Sequence, residues 1–350
     1  MLSSVNALSD GSGILPAGVS AAEGLSMLRR RTLLGLGMAG GALVAGGGLT
    51  ATAYSRAMEK ARERISPSRS TVIDSRFGDL EYAEAGSGPP FLMVHGTGGG
   101  FDQGLAMAGP LSEAGYRVIA PSRFGYLRTT MPDDPSSENQ ADAFAELLDA
   151  LGIDRAVICG GSAGALSAQH FAIRRPDRCA GLIALVPAAY TPDRPPARPW
   201  TPFQQTLAEW ALQSDFLFWA ASVTLHDRMI ETLLATDIEL YRAAGAAERA
   251  RVDEILQGIL PVSARAQGLL NDARLAGDPA PAALERITAP TLAVSVEDDR
   301  FLTDDAARHI AASVPGARLI IYPSGGHIWV GHNDDLYGDI AGFLKGIGYT

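Results

Sequence analysis

Cysteine is scarce in this chain, which has only Cys159 and Cys179 among its 350 residues. Two cysteines are too few for a disulfide-dense scaffold, so a fold of this length has to rest on a hydrophobic core. Cys159 lies at the end of one predicted strand and Cys179 near the start of the next. Parallel strands place such positions at opposite edges of a sheet, too far apart for a disulfide. The sequence therefore predicts two free, buried thiols.

The chain also has fewer basic than acidic residues. Its 29 lysines and arginines and 39 aspartates and glutamates give a net charge of −10. This balance argues against nucleic acid or an anionic membrane as a partner, since neither would be attracted to the protein. Metal and nucleotide motifs are missing as well. The six histidines show no paired ligand spacing, and the glycine run after His95 lacks the Lys-Ser/Thr of a phosphate loop and the dinucleotide frame. We expect no metal, no cofactor and a small-molecule substrate.

The first 55 residues differ from the rest of the chain and carry few charges. Arg29-Arg30-Arg31 is followed by a glycine-rich apolar run with no charge until Arg56. Paired arginines before such a run resemble a twin-arginine export signal, with Ala51-Thr52-Ala53 as a cleavage frame. The run is also long enough to span a bilayer as an uncleaved anchor. Either alternative predicts that residues 1–55 export the protein, so that its catalytic domain is periplasmic, extracellular or membrane-anchored.

Short apolar strands alternate with helical stretches over residues 71–187 and again over residues 289–348. This alternation indicates a parallel sheet with helices on both faces. Residues 188–288 interrupt it with helical stretches that are too long for a plain loop, and we interpret them as a cap over the carboxyl edge of the sheet. The early part of this cap is rich in aromatic side chains. We expect some of them in the cap's own core and some in a substrate pocket: Trp200, Phe203, Trp210, Phe216, Phe218 and Trp219.

A serine in a G-x-S-x-G frame lies between a buried strand and an alanine-rich helix, in the sequence Gly160-Gly161-Ser162-Ala163-Gly164. A strand that turns sharply into a helix holds its turn residue in a strained backbone and needs small neighbours. The hydroxyl is thereby lifted clear of the sheet, and the next N–H lies at a helix N-terminus. Ser162 is therefore a candidate nucleophile that needs a base and an acid.

Both partners follow later strands, in the order Ser162, Asp299, His327. His327 comes after Gly325-Gly326 and is the predicted general base, and Asp299 is predicted to orient it. Each follows the carboxyl end of a strand, where open α/β sheets carry their sites. Other residues remain open as alternatives. Asp298 and Asp193 compete for the role of the acid and His332 for the base, while Glu297 is expected to face solvent.

Residues 71–346 resemble the α/β-hydrolase fold family, with a helical cap after the sixth strand. The matching motifs are His95-Gly96-Thr97-Gly98-Gly99-Gly100, the glycine-flanked Ser162, Val296-Glu297-Asp298-Asp299 and Gly325-Gly326-His327. The resemblance implies a mostly parallel eight-stranded sheet with helices on both faces. It also implies an oxyanion hole made by the N–H of Ala163 and that of Thr97 or Gly98, with His95 anchoring the loop.

One turn departs from the family pattern. The sequence after the fourth strand is Pro121-Ser122-Arg123-Phe124-Gly125-Tyr126 rather than an Asp-x-x-Gly turn. Arg123 and Tyr126 could bind a polar group of the substrate or lie in a surface loop.

The triad predicts a serine hydrolase that forms an acyl-enzyme, with carboxylic esters of small apolar or aromatic acids as its expected substrates. The same triad supports hydrolysis of C–C bonds and cofactor-free perhydrolysis of the haloperoxidase kind, so these stay open as alternatives. A non-catalytic binding protein on this fold is a further alternative, against which the complete triad argues.

Overall fold

Eight strands form the centre of the fold. A computed structural model describes residues 47–192 and 201–350, so the predictions for residues 1–46, Asp193 and Trp200 lie outside the described residues. The strands are β1 (Thr71–Ser75), β2 (Gly78–Ala85), β3 (Pro90–Val94), β4 (Arg117–Pro121), β5 (Ala156–Gly161), β6 (Cys179–Leu185), β7 (Thr291–Val296) and β8 (Arg318–Tyr322).

The strands pair in one sheet in the order β1-β2-β4-β3-β5-β6-β7-β8. β1 and β2 form an antiparallel hairpin in which Ser75 lies opposite Gly78, and β2 is also antiparallel to β4. Every other pair, from β3·β4 to β7·β8, is parallel. The mostly parallel eight-stranded sheet predicted from the sequence is confirmed.

Thirteen α-helices accompany the sheet within the described residues. They are α1 (Gly47–Arg64), α2 (Phe101–Met107), α3 (Gly109–Glu113), α4 (Ser137–Ala150), α5 (Gly164–Arg174), α6 (Pro202–Leu212), α7 (Asp215–Thr224), α8 (His226–Thr232), α9 (Ile238–Ala243), α10 (Ala246–Gly258), α11 (Ala266–Leu275), α12 (Thr303–Ser313) and α13 (Asn333–Gly346).

Helices cover both faces of the sheet, because successive strand residues point to opposite sides. In β3, Leu92 joins a buried cluster that contains Phe144 of α4 and Phe171 of α5. Its neighbour Met93 joins the other cluster, which contains Phe343 of α13. The central strand β5 is buried at all of its positions, as expected for a parallel strand with helices on both sides.

Residues 102–114, one of the helical stretches expected between the strands, fall in two helices. The chain breaks at Ala108, between α2 and α3, and Pro110 follows in the first turn of α3. A proline inside a helix lacks the N–H that the helical ladder needs and clashes with the preceding turn. The stretch is therefore helical but interrupted, and Gly109-Pro110 is the sequence signal for the break.

Helices α6–α11 lie between β6 and β7 and form the cap. They share a third apolar cluster, the cap cluster, in which Phe218 and Trp219 are buried. Phe203 and Trp210 have 75% and 60% of their surface exposed. The aromatic residues expected to line a pocket are thus divided between the cap's core and its solvent face.

Helix α1 packs against the cap. Met58 and Ala61 are buried in the cap cluster, and Tyr54 lies edge-to-face against Phe216 with 5.3 Å between the ring centroids. At its end, the Arg64 guanidinium donates to the Leu260 carbonyl at 2.6 Å. The cleavage frame proposed from the sequence therefore lies inside a helix whose second half is part of the folded body.

Cys159 and Cys179 are both free and buried, as predicted. Burial raises the pKa of both thiols to about 12, which keeps them protonated. Among the helices of residues 47–192 and 201–350, none combines the length and the apolar character needed to cross a bilayer.

Candidate active site

The turn between β5 and α5 has the strained geometry that the G-x-S-x-G frame predicts. Ser162 has a φ of +49°, in the left-handed region that side chains rarely adopt. Its N–H donates to the Leu185 carbonyl of β6 at 2.9 Å, which holds the turn in place. A Cβ on Gly160 would lie 2.6 Å from the Ala165 Cα, and one on Gly164 would lie 2.5 Å from the Val94 and His95 carbonyl oxygens. Both glycines are required by close backbone approach.

His327 lies within hydrogen-bonding distance of both Ser162 and Asp299. The His327 Nε2 is 2.9 Å from the Ser162 Oγ, and its Nδ1 is 2.8 Å from an Asp299 carboxylate oxygen. Because the ionised carboxylate can only accept, Nδ1 carries the proton and Nε2 is free to accept the serine proton. The structure thus brings together the three residues that the sequence selected.

The Asp299 carboxylate is buried and well supplied with donors. Besides His327, it accepts from the Phe301 N–H at 2.8 Å and from the Thr303 hydroxyl. The Thr303 oxygen in turn lies 2.8 Å from the Ser295 hydroxyl. Three donors around one buried carboxylate fix its orientation toward the imidazole, and Ser295 in turn holds Thr303 in place.

The competing residues occupy other positions. Asp298 accepts from the N–H groups of Gly325 and Gly326 at 3.2 and 2.7 Å, so it holds the loop that carries His327 rather than the imidazole itself. Glu297 is exposed, as expected. The His332 ring stacks on Tyr322 at 4.6 Å and its Nδ1 is 3.2 Å from Asp335.

The oxyanion loop, which we define as residues 95–100, lies beside the nucleophile. A Cβ on Gly96 would be 3.2 Å from the Ser162 Cβ. Among the described residues, neither the Ala163 N–H nor the Thr97 N–H donates a hydrogen bond, whereas the Gly98 N–H donates to the Tyr126 hydroxyl at 3.1 Å. Of the two residues named for the second donor, Thr97 therefore has an N–H without a partner among the described residues and Gly98 does not, so Ala163 and Thr97 are the available pair.

His95 has the anchoring position expected of it. Its Nε2 accepts from the Arg123 N–H at 2.9 Å, and its Nδ1 lies 2.7 Å from the Gly96 carbonyl oxygen, which assigns the proton to Nδ1. Burial first, and then the Arg123 charge, lowers the pKa of His95 well below its usual value. The imidazole is therefore neutral and joins two loops.

Arg123 and Tyr126 are buried, so neither lies in a surface loop, and the polar groups of both are bonded to other parts of the protein. Arg123 pairs with both Asp272 oxygens at 2.6 Å and donates to the carbonyls of His95 and Gly96. The Tyr126 hydroxyl donates to Asp272 at 2.6 Å. Burial and the neighbouring carboxylate raise the pKa of Tyr126 well above its usual value, which keeps its proton in place.

A second buried ion pair lies at the other end of the loop. Arg265 of the cap is fully buried, bonds both Asp102 oxygens at 3.1 and 2.8 Å, and also donates to the Gly99 carbonyl. Arg64 of α1 adds a bond to the same carboxylate at 3.0 Å. Burial alone would raise the pKa of Asp102, but the two guanidinium groups outweigh it and hold that pKa below its usual value.

The cap lies directly over the site and contributes apolar contacts. Ile259 packs against Gly98, where a Cβ would be 3.2 Å from its Cγ1, and Thr236 packs more closely against Gly326, where a Cβ would be 2.6 Å from its Oγ1. From the core, the Phe301 ring lies 4.9 Å from the His327 ring in an edge-to-face arrangement. Sequence reasoning missed Asp102, Arg265 and Asp272, because an isolated charge in a helix gives no sign of its partner elsewhere in the chain.

Comparison with known proteins agrees with this geometry. A model of the alpha/beta hydrolase fold family matches residues 89–331, which include the elbow, the cap and both triad partners of Ser162. The chain belongs to the α/β-hydrolase family. It is accordingly a hydrolase, and the interpretation as a serine hydrolase is supported.

Three similar proteins illustrate the range of this family. A 2-hydroxy-6-oxo-6-phenylhexa-2,4-dienoate hydrolase from Burkholderia cepacia is 30% identical over 70% of this chain and 83% of its own length. An alpha/beta hydrolase fold protein from Nakamurella multipartita is 27% identical, with a TM-score of 0.62 over 80% of this chain and 99% of its own. A bacterial membrane phospholipase A is 22% identical, with a TM-score of 0.59 over 92% of this chain and all of its own, and shows the fold alone.

Proposed function

We propose that this α/β-hydrolase cleaves carboxylic esters of small apolar or aromatic acids through an acyl-enzyme on Ser162. The observation that carries the proposal is the hydrogen-bonded line from Asp299 through His327 to Ser162, beside two backbone N–H groups that donate to nothing else among the described residues. This arrangement supplies a nucleophile, a base, an orienting acid and an oxyanion hole.

The steps follow from the positions of the atoms. The Ser162 Oγ attacks the ester carbonyl while its proton moves to His327 Nε2, and the carbonyl oxygen becomes an oxyanion held by the Ala163 and Thr97 N–H groups. The imidazolium then gives its proton to the departing alkoxide, and an alcohol leaves. Water attacks the acyl-enzyme with His327 again as the base, which releases the acid and restores the serine.

A neutral ester fits the charges around the site better than an anionic substrate. Four guanidinium groups lie around the oxyanion, acid and histidine loops, and each is paired with a carboxylate: Arg123 with Asp272, Arg265 with Asp102, Arg251 with Glu248 and Arg300 with Asp237. Guanidinium groups held this way are not free to bind a substrate carboxylate. The net charge of −10 also repels anions.

A fluorophosphonate probe tests the nucleophile. We expect the protein to be labelled at Ser162, and Ser162→Ala to lose both the label and about 10⁴–10⁶-fold in ester turnover. Ser167→Ala is a matched control in helix α5, which follows Ser162, because the Ser167 hydroxyl bonds only to the Gly164 carbonyl, and this variant should keep label and turnover. An unlabelled parent protein would instead favour a non-catalytic binding protein.

Hydrolysis of a C–C bond is the second candidate, favoured by the similarity to the dienoate hydrolase of Burkholderia cepacia. A panel of p-nitrophenyl esters of graded acyl length, measured beside 2-hydroxy-6-oxo-6-phenylhexa-2,4-dienoate, separates the two. Because the guanidinium groups around the site are paired, we expect kcat/KM for the best ester to be at least tenfold higher than kcat/KM for the dienoate. The reverse order would reject the ester. A perhydrolase would be recognised by peroxide-dependent turnover on the same esters.

We also propose that the protein is exported and attached to a membrane through its N-terminal segment. In support, no charge occurs from Thr32 to Ser55, a run that leads into α1. The match to the membrane phospholipase A covers 92% of the chain, whereas residues 71–350 make up only 80% of it, so this match extends into the segment before β1. The cap beside α1 also exposes Phe203 and Trp210, and aromatic side chains are common at membrane interfaces.

Cell fractionation of the full chain and of a variant that starts at Tyr54 tests this attachment. We expect the full chain in the membrane fraction, resistant to high salt, and the shortened variant in the soluble fraction. Accessibility of the full chain to protease in intact spheroplasts reports the side of the membrane. A full chain found only in the soluble cytoplasmic fraction would contradict the proposal.

A further inference from the structure

We propose that the cap positions the oxyanion loop through two buried ion pairs, and that Asp272 and Arg265 are the positioning residues. The inference deepens the proposed function and rests on it, because the geometry of the loop affects turnover only if Ser162 attacks a carbonyl. Both residues belong to the cap, in α11 and in the turn before it, and their partners Arg123 and Asp102 belong to the core.

The oxyanion loop has little means of holding its own shape. Four of its six residues are glycine, so its backbone can adopt many conformations. Its internal hydrogen bonds in the structure are the Gly99 N–H to the Gly96 carbonyl at 3.2 Å and the His95 ring to the Gly96 carbonyl at 2.7 Å. An oxyanion donor has to lie within a few tenths of an ångström of its place, so the loop needs support from outside.

Asp272 supplies that support at the first half of the loop. Its two oxygens hold the Arg123 guanidinium, whose other N–H groups donate to the carbonyls of His95 at 2.9 Å and Gly96 at 3.0 Å. The same carboxylate accepts from Tyr126, whose oxygen accepts the Gly98 N–H. The available donor, Thr97, therefore lies between Gly96 and Gly98. Arg123 binds the Gly96 carbonyl and Tyr126 binds the Gly98 N–H, and Asp272 holds both of these side chains.

Arg265 supplies the support at the second half. Its guanidinium binds the Gly99 carbonyl and Asp102 together, and a Cβ on Gly100 would lie 2.8 Å from its Nη1. Neither Arg265 nor Asp272 is within hydrogen-bonding distance of the triad side chains, so both act through the loop. In this arrangement the cap is a structural part of the oxyanion hole as well as a roof.

The first test uses Tyr126→Phe, which removes the acceptor of the Gly98 N–H and leaves the Asp272–Arg123 pair intact. On the best p-nitrophenyl ester we expect kcat to fall about tenfold with KM within about twofold of the parent, because a displaced oxyanion donor weakens binding of the transition state only. Asp272→Asn should show the same split with a larger loss, about 10²-fold. A rise in KM with unchanged kcat would overturn the positioning role.

Asp142→Asn is the matched control. Asp142 is a buried carboxylate that pairs with Arg174 at 2.6 Å and Arg175 at 3.0 Å, at the end of α5 that lies away from Ser162. We expect Asp142→Asn to lower the stability, as Asp272→Asn does. At temperatures below the melting range its kcat should stay within about twofold of that of the parent. An equal fall in kcat for Asp142→Asn would overturn the proposal, since loss of any buried ion pair would then suffice.

Amide hydrogen exchange of the peptide 95–104 provides a readout that needs no substrate. We expect exchange about tenfold faster in Tyr126→Phe and Asp272→Asn than in the parent, and unchanged in Asp142→Asn. Unchanged exchange in all three variants would reject the positioning role even in an active enzyme. Absence of fluorophosphonate labelling in the parent, together with faster loop exchange in the two variants, would reject the proposed function and leave the support of the loop by the cap standing.

Discussion

Two adjacent aspartates in the loop after β7 have separate tasks. Asp299 faces inward, is buried, and bonds the imidazole of His327. Asp298 faces outward and accepts two backbone N–H groups from the turn before His327. One carboxylate therefore orients the base directly and its neighbour holds the segment that carries the base.

Asparagine at each position separates these tasks. Asp299→Asn presents an amide to Nδ1 and favours the wrong tautomer, so we expect kcat to fall about 10³–10⁴-fold. Asp298→Asn keeps an oxygen acceptor for the turn, so we expect a loss of less than about tenfold. Steady-state kinetics on one ester compares both variants. Losses of equal size would mean that the tasks are not divided in this way.

The sequence predicted the triad because each of its members follows a strand, and strand ends converge at one edge of a parallel sheet. It could not choose between Asp298 and Asp299 on physical grounds, since that choice depends on which carboxylate the loop turns inward. It also left Thr97 and Gly98 open as the second oxyanion donor, because the hydroxyl that binds the Gly98 N–H belongs to Tyr126, 28 residues further along the chain.

At the scale of elements, the β5–α5 elbow and the end of β3 are in backbone contact. Gly164, the first residue of α5, approaches the carbonyl oxygens of Val94 and His95 so closely that a Cβ would be 2.5 Å from each. The nucleophile and the start of the oxyanion loop are thereby held at a fixed distance by backbone alone.

Gly164→Ala forces these two elements apart. We expect a loss of about 1–3 kcal/mol in the free energy of unfolding from overpacking, with a fall in kcat because Ser162 and the oxyanion loop separate. Gly109→Ala is the control, since a Cβ there meets nothing within 4 Å. Thermal unfolding and ester turnover measure both effects. A Gly164→Ala protein with parental melting and turnover would contradict the close contact.

The alternation of short apolar runs with helical stretches predicted the parallel sheet of the core. Helix α1 was not predicted, although Tyr54, Ala57, Met58 and Ala61 recur at helical spacing and pack on the cap. The cap's helices were expected, but the side on which each aromatic lies was not, because α6 exposes Phe203 and Trp210 while α7 buries Trp219. Sequence periodicity indicates that a helix has an apolar face, but it does not indicate which element packs against that face.

For the molecule as a whole, His95 makes stability depend on pH. Its pKa is lowered in the folded protein by burial and by Arg123, whereas the unfolded chain has a pKa of about 6.5. Below this pH the unfolded state therefore binds more protons than the folded state. The stabilisation that His95 contributes above pH 6.5 is lost as the pH falls, by up to about 1.4 kcal/mol of unfolding free energy per pH unit.

Urea unfolding at pH 7.5 and pH 5.5 measures this dependence. We expect the difference in unfolding free energy between the two pH values to be smaller by about 1 kcal/mol in His95→Gln than in the parent. The half-exposed His332, which stacks on Tyr322 at the surface, serves as the control, and His332→Gln should keep the parental difference. The same pH difference in all three proteins would show that His95 is not the group responsible.

The packing of α1 on the cap also affects the order in which parts of the protein can fold during synthesis. Arg64 bonds to carbonyls 193 to 196 residues further along the chain. At ribosomal speeds that separation corresponds to about 10–40 s between the synthesis of α1 and the synthesis of its partners. Throughout this interval the cap residues that bury Met58 and Ala61 have not been made, so α1, the first helix of the described residues, is among the last to reach its place.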